Sequence, residues 1–334
     1  MKLSELLPHL IYDFKSEADL IRAIDEISLK FTKEREKIGD YLKDPRLVAA
    51  YTAFYLLTNI PKLEEVLKWM PNEWVDELKE CDFVDLGAGP GTFSLAWKNL
   101  GGKGTYYQVE KSAMMREQGL KLWKGFHSTE LFQSGNYTWN NERPKVVLFG
   151  HSANEMGSRV AIDYLEKIRP EHVLFIEPGT KSFFSEMLTI REYLLGQKYE
   201  VLFPCPNEGK CPLSGKDDWC HQFIYVEQDS EIERISQMAR KDRRLLPLTV
   251  HAYSRSYKGQ NPQERLVRVF PETKFSFEWE VCHQNQIERY QIMKRDLSKS
   301  EAKEIGAVLA GAALETELLK SLESYKRVKI LKLK

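Results

Sequence analysis

The sequence predicts an α/β protein built on an open, mostly parallel sheet, and three observations carry that prediction. Cys81-Asp-Phe-Val-Asp-Leu-Gly-Ala-Gly-Pro-Gly91-Thr reads as a buried strand running through a glycine loop into a helix. Short apolar runs then alternate with helical stretches from Cys81 to Glu200. The second strand of the series, Thr105-Tyr-Tyr-Gln-Val-Glu110, ends in a carboxylate about 20 residues beyond the loop, where this architecture places the acid that binds ribose hydroxyls.

In chain order, residues 1–80 are expected to form a helical cap. Leu20, Ile21, Ile24 and Ile27 make a helical stripe, and Leu47 to Leu57 a more apolar helix that Asn59-Ile-Pro61 punctuates. Residues 81–200 form the nucleoside-binding core, with strands at 81–86, 105–110, 145–150 and 172–178. Helices fall at 112–123, 155–168 and 181–196 between them. Residues 201–297 continue the sheet through a cysteine-rich loop and a basic segment. There Phe275, Phe277, Trp279 and Val281 alternate with Ser276, Glu278, Glu280 and Cys282 as one strand of a hairpin. Residues 298–334 are expected as a helix and a basic tail.

The loop spacing narrows the ligand. A dinucleotide fingerprint needs G-x-G-x-x-G/A, and Thr92 stands where the last small residue should be. Gly87-x-Gly89-x-Gly91 with Asp85 ahead of it resembles motif I of S-adenosylmethionine-dependent methyltransferases. The candidate cofactor-binding residues are therefore Asp85, Gly87, Gly89, Gly91 and Glu110. The bland alternative is a plain strand-to-helix turn with Glu110 on the surface.

Composition excludes several classes. Lys+Arg 49 balance Asp+Glu 49, so any nucleic-acid signature must be local. No run approaches the length of a membrane span, and the first 30 residues carry six Asp/Glu against four Lys/Arg, which suits neither a transit peptide nor a secretory signal. A cytoplasmic protein is expected. Of 5 cysteines, Cys81 opens a core strand and reads as a small buried hydrophobe. Cys205, Cys211 and Cys220 instead share a Pro/Gly-rich loop, with Cys282 on the later strand, facing away from the aromatics. In a reducing compartment that clustering favours a metal over disulfides. The wide spacing suits an iron–sulfur cluster better than short zinc knuckles, and zinc stays open, with His221 and His283 as alternative ligands or neighbours.

His151, Asn154 and Glu155 follow a core strand at the end where chemistry occurs. They are the candidate catalytic residues, with helix capping by Asn154 and Glu155 as the alternative. Three basic patches stand out. Ala239-Arg-Lys-Asp-Arg-Arg244 carries four cations against one anion. Arg255, Lys258, Arg265 and Arg268 lie near Tyr253 and Tyr257. Lys320, Lys326, Arg327, Lys329, Lys332 and Lys334 face one acid, Glu323. Cations beside aromatics fit RNA binding, and solvated faces fit them too.

The ordered motifs Val-Asp-Leu-Gly-Ala-Gly-Pro-Gly, His151-Ser-Ala-Asn-Glu-Met156 and Phe175-Ile-Glu-Pro-Gly-Thr180 precede Arg191. With Pro204-Cys…Cys-Pro…Trp-Cys-His221 and Cys282 ahead of Lys294-Arg295, they resemble a family of methyltransferase-like assembly factors of the small ribosomal subunit, found in mitochondria and bacteria. The resemblance runs from about Leu47 to Arg295. It implies a Rossmann-like S-adenosylmethionine-dependent methyltransferase fold with an N-terminal helical cap and a C-terminal cysteine-loop/β-hairpin extension. It also implies a 4Fe–4S cluster on Cys205, Cys211, Cys220 and Cys282, and a role as a small-subunit assembly/translation factor that binds ribosomal RNA. The family's His151 segment differs somewhat from this one, and the lysine-rich terminus has no counterpart. A bacterial, cytoplasmic member is expected, with no membrane partner and monomeric off the ribosome. No N/D-P-P-Y follows the fourth strand, and no cysteine nucleophile lies there. An active ribosomal-RNA methyltransferase with a structural zinc or iron–sulfur site is the alternative.

Overall fold

The computed structural model describes residues 1–32, 42–128, 132–134, 143–259 and 262–333. Helices α1 (Leu3–Leu6), α2 (Glu17–Thr32), α3 (Pro45–Tyr51), α4 (Leu57–Leu67) and α5 (Asn72–Lys79) come first. There follow β1 (Asp82–Leu86), α6 (Thr92–Asn99), β2 (Tyr106–Val109), α7 (Ala113–Phe126), β3 (Phe132–Ser134) and β4 (Lys145–Gly150). Next are α8 (Ala153–Ile168), β5 (His172–Pro178), α9 (Lys181–Gly196), β6 (Glu200–Phe203), β7 (Gln222–Tyr225), α10 (Ser230–Met238) and β8 (Leu245–Ser254). The chain closes with β9 (Glu264–Val269), β10 (Ser276–His283), β11 (Gln286–Met293), α11 (Lys299–Gly306), β12 (Ala313–Ser321) and β13 (Lys326–Leu333). It divides into two compact units. One is Met1–Lys68, Asn72–Ser152 and Tyr225–Leu246; the other is Trp69–Pro71, Ala153–Ile224 and Pro247–Lys334.

In the first unit the strands run β3-β2-β1-β4, all parallel, with Phe83 opposite Tyr106 and Val84 opposite Val147. β1 is buried along its whole length, with Phe83, Val84 and Leu86 in the core and Asp82 and Asp85 buried beside them, as in a strand covered on both faces. Large rings fill the space beneath it: Phe83 stacks on Trp97 at 5.5 Å, and Trp123 on Phe132 at 4.6 Å. Asp44 caps α3 through the N–H of Arg46 at 2.8 Å, and Pro45 takes the first helical position, where it costs no bond.

The expected break at Pro61 does not occur. α3 runs through a π-helical turn, Thr52–Leu56, into α4, and Pro61 lies inside that helix. Pro61 removes one backbone bond, but Leu57, Leu63 and Val66 are buried around it, and packing outweighs the loss.

In the second unit β8 pairs antiparallel with both β5 and β6, and β7 also pairs with β8. The strands and covering helices make the Rossmann-like α/β fold expected of the methyltransferase class. The last five strands depart from expectation. They close into a barrel in the order β10-β11-β13-β12-β9, with β11 and β13 parallel and the other pairs antiparallel. Residues 298–334 are therefore not a helix and tail: α11 is followed by a β-hairpin that completes the barrel, and Lys334 lies outside the described residues. Phe277, Trp279, Val281, Tyr290, Ile292, Leu314 and Val328 point into the barrel, and Ile305 of α11 packs against them. The alternation read for β10 holds from Phe277 onward. Phe275 departs from it at 66% exposed, because Thr273 Oγ1 accepts the N–H groups of Phe275 and Ser276 and turns the chain before the strand begins. No helix among the described residues is long and apolar enough to cross a membrane.

Candidate functional site

The glycine loop lies between the end of β1 and α6. Gly87, Gly89 and Gly91 all adopt positive φ, at 69°, 53° and 83°. A Cβ on Gly91 would lie 2.0 Å from Gln108 Nε2, so the loop packs against β2 there; a Cβ on Gly89 would meet nothing within 4 Å. Space is open beside Gly89, where a ligand would approach backbone. Glu110 closes the other side: its Oε2 accepts the Gly89 N–H at 3.0 Å and its Oε1 the Ser112 N–H at 2.7 Å. Each oxygen keeps a lone pair for a further donor.

Asp85 is buried and accepts both the N–H and the hydroxyl of Ser94, at 3.0 and 2.9 Å. Burial pushes its carboxyl up to about 7, against those two bonds, and the nearby Glu110 adds to the rise. The folded protein therefore holds this proton more firmly than the unfolded chain between about pH 4 and pH 7. The stability it contributes is full below that window, falls as pH rises through it, and is constant above. Asp85→Asn, which keeps an acceptor for Ser94 and cannot ionise, should gain on the wild type as pH rises from 5 to 8. Thermal melts across that range check this, and a gap that stays constant or narrows counts against it.

The candidate catalytic residues divide between the units. His151, partly buried at φ 58°, places its Nε2 2.8 Å from the ammonium of Lys62, a side chain 1% exposed. Burial first, then Lys62 and Arg243, hold the imidazole well below its ordinary pKa, so it is neutral and accepts the lysine's proton in a hydrogen bond. That makes it a poor base. Asn154 is not the N-cap of α8: it lies inside the first turn. The carboxylate of Glu177 takes the cap's place, accepting the N–H groups of Ala153 at 2.8 Å and Asn154 at 3.3 Å. Glu155 is exposed in that same turn, which a break at Gly157 (φ 79°, ψ 164°) separates from the rest of α8, where Glu186 accepts the Ser158 N–H at 2.8 Å. Sequence reasoning had not singled out Lys62 or Glu177 for these roles. Glu177 stood in a quoted motif, and its position before Pro-Gly was the available signal.

Cys205, Cys211, Cys220 and Cys282 line one cavity in the second unit, together with Arg191, His251 and Arg265. The loop between Phe203 and Gln222 has no regular structure, and side chains hold it. Arg191 donates to the carbonyls of Asn207 and Gly209, Arg265 to that of Pro204, and Trp219 Nε1 to that of Gly179. Cys282 lies on the outer face of β10, away from the aromatic core, as its alternation required. Burial pushes its thiol up to about 12, with the Cys205 and Cys211 thiols adding to the shift. Burial brings the Arg265 guanidinium down to about 10, although the surrounding thiols favour its charge. Two cations thus face four thiols. Among the described residues no three His, Cys, Asp or Glu side chains converge closely enough to hold a metal ion. His221 and His283 do not line the cavity: His221 stacks on Trp219 at 5.6 Å, and His283 Nδ1 lies 3.2 Å from Glu264. Cys81 is buried with its thiol on the Glu77 carbonyl.

The first two basic patches are only partly open: Arg240, Arg244, Arg255 and Lys258 are exposed, and the other cations are drawn to partners within the fold. Arg243 sits over the Tyr55 ring at 5.1 Å and donates to Thr58 and Asn59, Lys241 pairs with Asp25, and Arg244 with Asp242 and Glu233. Arg265 is buried at the cysteine cavity, Arg268 lies between Asp218 and Glu280, Arg255 covers Tyr199, and Tyr253 is buried. Internal partners take Arg243, Arg265 and Arg268, while Arg240, Arg244, Arg255 and Lys258 stay exposed, so clustering in sequence predicted exposure for only part of each patch.

Fold and loop together define a methyltransferase-like α/β protein of Rossmann type. The sequence profile of the family described as mitochondrial small ribosomal subunit Rsm22 matches residues 45–303, well over half of the chain, and the protein belongs to that family. No individually curated protein matches it. Among solved structures, M. capricolum TrmK in complex with S-adenosyl-homocysteine is similar at 12% identity, over 58% of this chain and 68% of that one, with a TM-score of 0.36. A precorrin-6y C5,15-methyltransferase from Geobacter metallireducens is similar at 13% identity, over 52% of this chain and 81% of that one, with a TM-score of 0.34.

Proposed function

We propose that the protein is an assembly factor of the small ribosomal subunit that binds ribosomal RNA, keeps S-adenosylmethionine at the glycine loop and carries a 4Fe–4S cluster on Cys205, Cys211, Cys220 and Cys282. The observation that carries the reading is the family match, which spans both the glycine loop and all four of these cysteines. The chemistry of the residues at the two places supports the reading, with the four thiols lining one cavity without converging on a single point. At the loop, Glu110 sets a carboxylate on Gly89, where a Cβ would meet nothing within 4 Å, which suits a ligand with a ribose diol, and the buried Asp85 braces the loop through Ser94. At the cavity, four thiols with two buried guanidiniums suit an anionic cluster that spreads its ligands wider than one zinc ion would. The cluster would supply a covalent tie between the irregular loop and β10.

Methyl transfer is the alternative, and His151 speaks against it as a base, because its Nε2 is engaged by Lys62. The test uses anaerobically purified protein with precursor small subunits and methyl-labelled S-adenosylmethionine. The assembly reading expects co-sedimentation with the particles and no label in the RNA. Label transferred to ribosomal RNA overturns it in favour of a methyltransferase, and absence of co-sedimentation removes the assembly role.

A further inference from the structure

The closing barrel has a recognisable connectivity. Numbered from β9, its strands run 1-2-3-5-4 and back to 1, the third and fifth are parallel, and a helix joins the third to the fourth. That is the arrangement of the OB-fold, whose second and third strands, with the loops between strands 1 and 2 and between strands 4 and 5, form a surface for oligonucleotides. Here the surface is the outer face of β10 and β11 at its Ser276–Glu278 and Arg289–Met293 end, between the loop 270–275 and the loop 322–325; toward Cys282 the same face is covered by the cysteine loop.

The chemistry at that surface fits a single strand. Phe275 projects at 66% exposed, with the Lys274 ammonium 5.6 Å from its ring centroid. Phe270 carries the Arg289 guanidinium at 4.4 Å, and Arg289 is itself exposed on β11. Across the face, Arg327 lies opposite Gln291 on β11 and opposite Lys320 on β12. Two cations directly opposite each other on paired strands repel. Among the described residues neither is paired with a carboxylate, and the buried Nε of Arg327 has no acceptor. Elsewhere on the hairpin the pairs are complementary: Glu317 opposes Lys329 and Glu315 opposes Lys332. The uncompensated charge is thus confined to the end beside the second loop. Glu278 and Glu280, which would repel a phosphate chain on this face, are neutralised by Arg289 at 2.6 Å and Arg268 at 2.7 Å.

We propose that the β10–β11 face of this barrel, flanked by Phe275 and by the Lys320–Arg327 pair, binds single-stranded RNA by stacking bases on the first loop and holding phosphates at the second. This rests on the RNA-binding reading above and gives it a surface and a substrate class. A duplex could not use the surface so well, since its bases are already stacked on one another.

The test is fluorescence anisotropy of the full-length, metal-loaded protein with a labelled single-stranded 12-nucleotide RNA (about the upper range of one such site) and with its duplex. The wild type should prefer the single strand. Phe275→Ala should weaken that binding about tenfold, the loss of one base–aromatic stack. Lys320→Gln with Arg327→Gln should weaken it and flatten its salt dependence. Both sites are at the surface, and melting curves matching the wild type exclude unfolding; should the double variant melt early, Phe275→Ala alone decides. If the wild type binds RNA and neither variant changes affinity, the barrel inference falls while the RNA reading stands. Equal affinity for single strand and duplex also overturns it. If the variants lose the small subunit but not RNA, the face docks a protein and the inference is wrong. If the wild type binds neither RNA nor small subunits, the broader reading falls with it.

Discussion

Cys282→Ser is expected to lose the iron of anaerobically purified protein and to lower the melting temperature of the second unit on the order of 10 °C. The magnitude comes from the cavity. Arg191 and Arg265 are 3% and 6% exposed and face the four cysteines, and neither has a carboxylate partner among the described residues. With the proposed anionic cluster bound the two guanidiniums would be charge-compensated, and losing it with one of its ligands would leave them uncompensated, at a cost of about 3–5 kcal/mol. In a unit of this size each kcal/mol is about 2–4 °C. The irregular loop has its own holds, on Arg191, Arg265 and Trp219. Proteolysis should therefore begin between those anchors, at the exposed stretch around Gly215, with the β1–β4 sheet protected. Cys81→Ser should keep the iron, since that thiol is buried beneath β1 with its hydrogen bond on Glu77. A colourless wild type carrying one zinc would remove the cluster and keep the four-thiolate site. Single replacement of each cysteine without change in metal or stability would remove both.

What the sequence made legible was local. The glycine loop, the acid at the end of β2 and the alternation of β10 are each encoded within about ten residues, and each forms as read apart from Phe275. The four cysteines became a group because three of them share a loop whose prolines and glycines leave no other reason for thiols. The barrel was not legible, because it depends on pairings such as Leu314 with Glu264 and Gln291 with Arg327, far apart in the chain. One signal for it was present. Arg327-Val328-Lys329-Ile330 alternates as a half-buried strand does, but its lysines drew attention to charge and away from Val328, which is 2% exposed. The cations of residues 239–268 illustrate the converse. Whether an arginine faces solvent or an internal ring depends on partners elsewhere: Arg243 finds Thr58 across 185 residues. Sequence clustering cannot report that.

Glu110→Ala should weaken S-adenosylmethionine binding by about 10- to 150-fold, corresponding to about 1.5–3 kcal/mol for a hydrogen bond to a charged group. The carboxylate has two tasks, and the experiment must separate them. In the ligand-free protein it accepts from Gly89 and Ser112, which ties the glycine loop to the start of α7. With a ligand present, its remaining lone pairs would accept from the ribose. Alanine removes both. Glu110→Gln keeps one acceptor oxygen and loses the charge, so its affinity should fall between those of alanine and wild type. A melting shift without ligand reports the loop's share, and calorimetry with ligand reports the rest. If alanine lowers the melting temperature but leaves the dissociation constant unchanged, Glu110 is a loop tie alone and the ribose assignment is wrong. If the wild type binds no S-adenosylmethionine, the glycine loop serves only to turn β1 into α6.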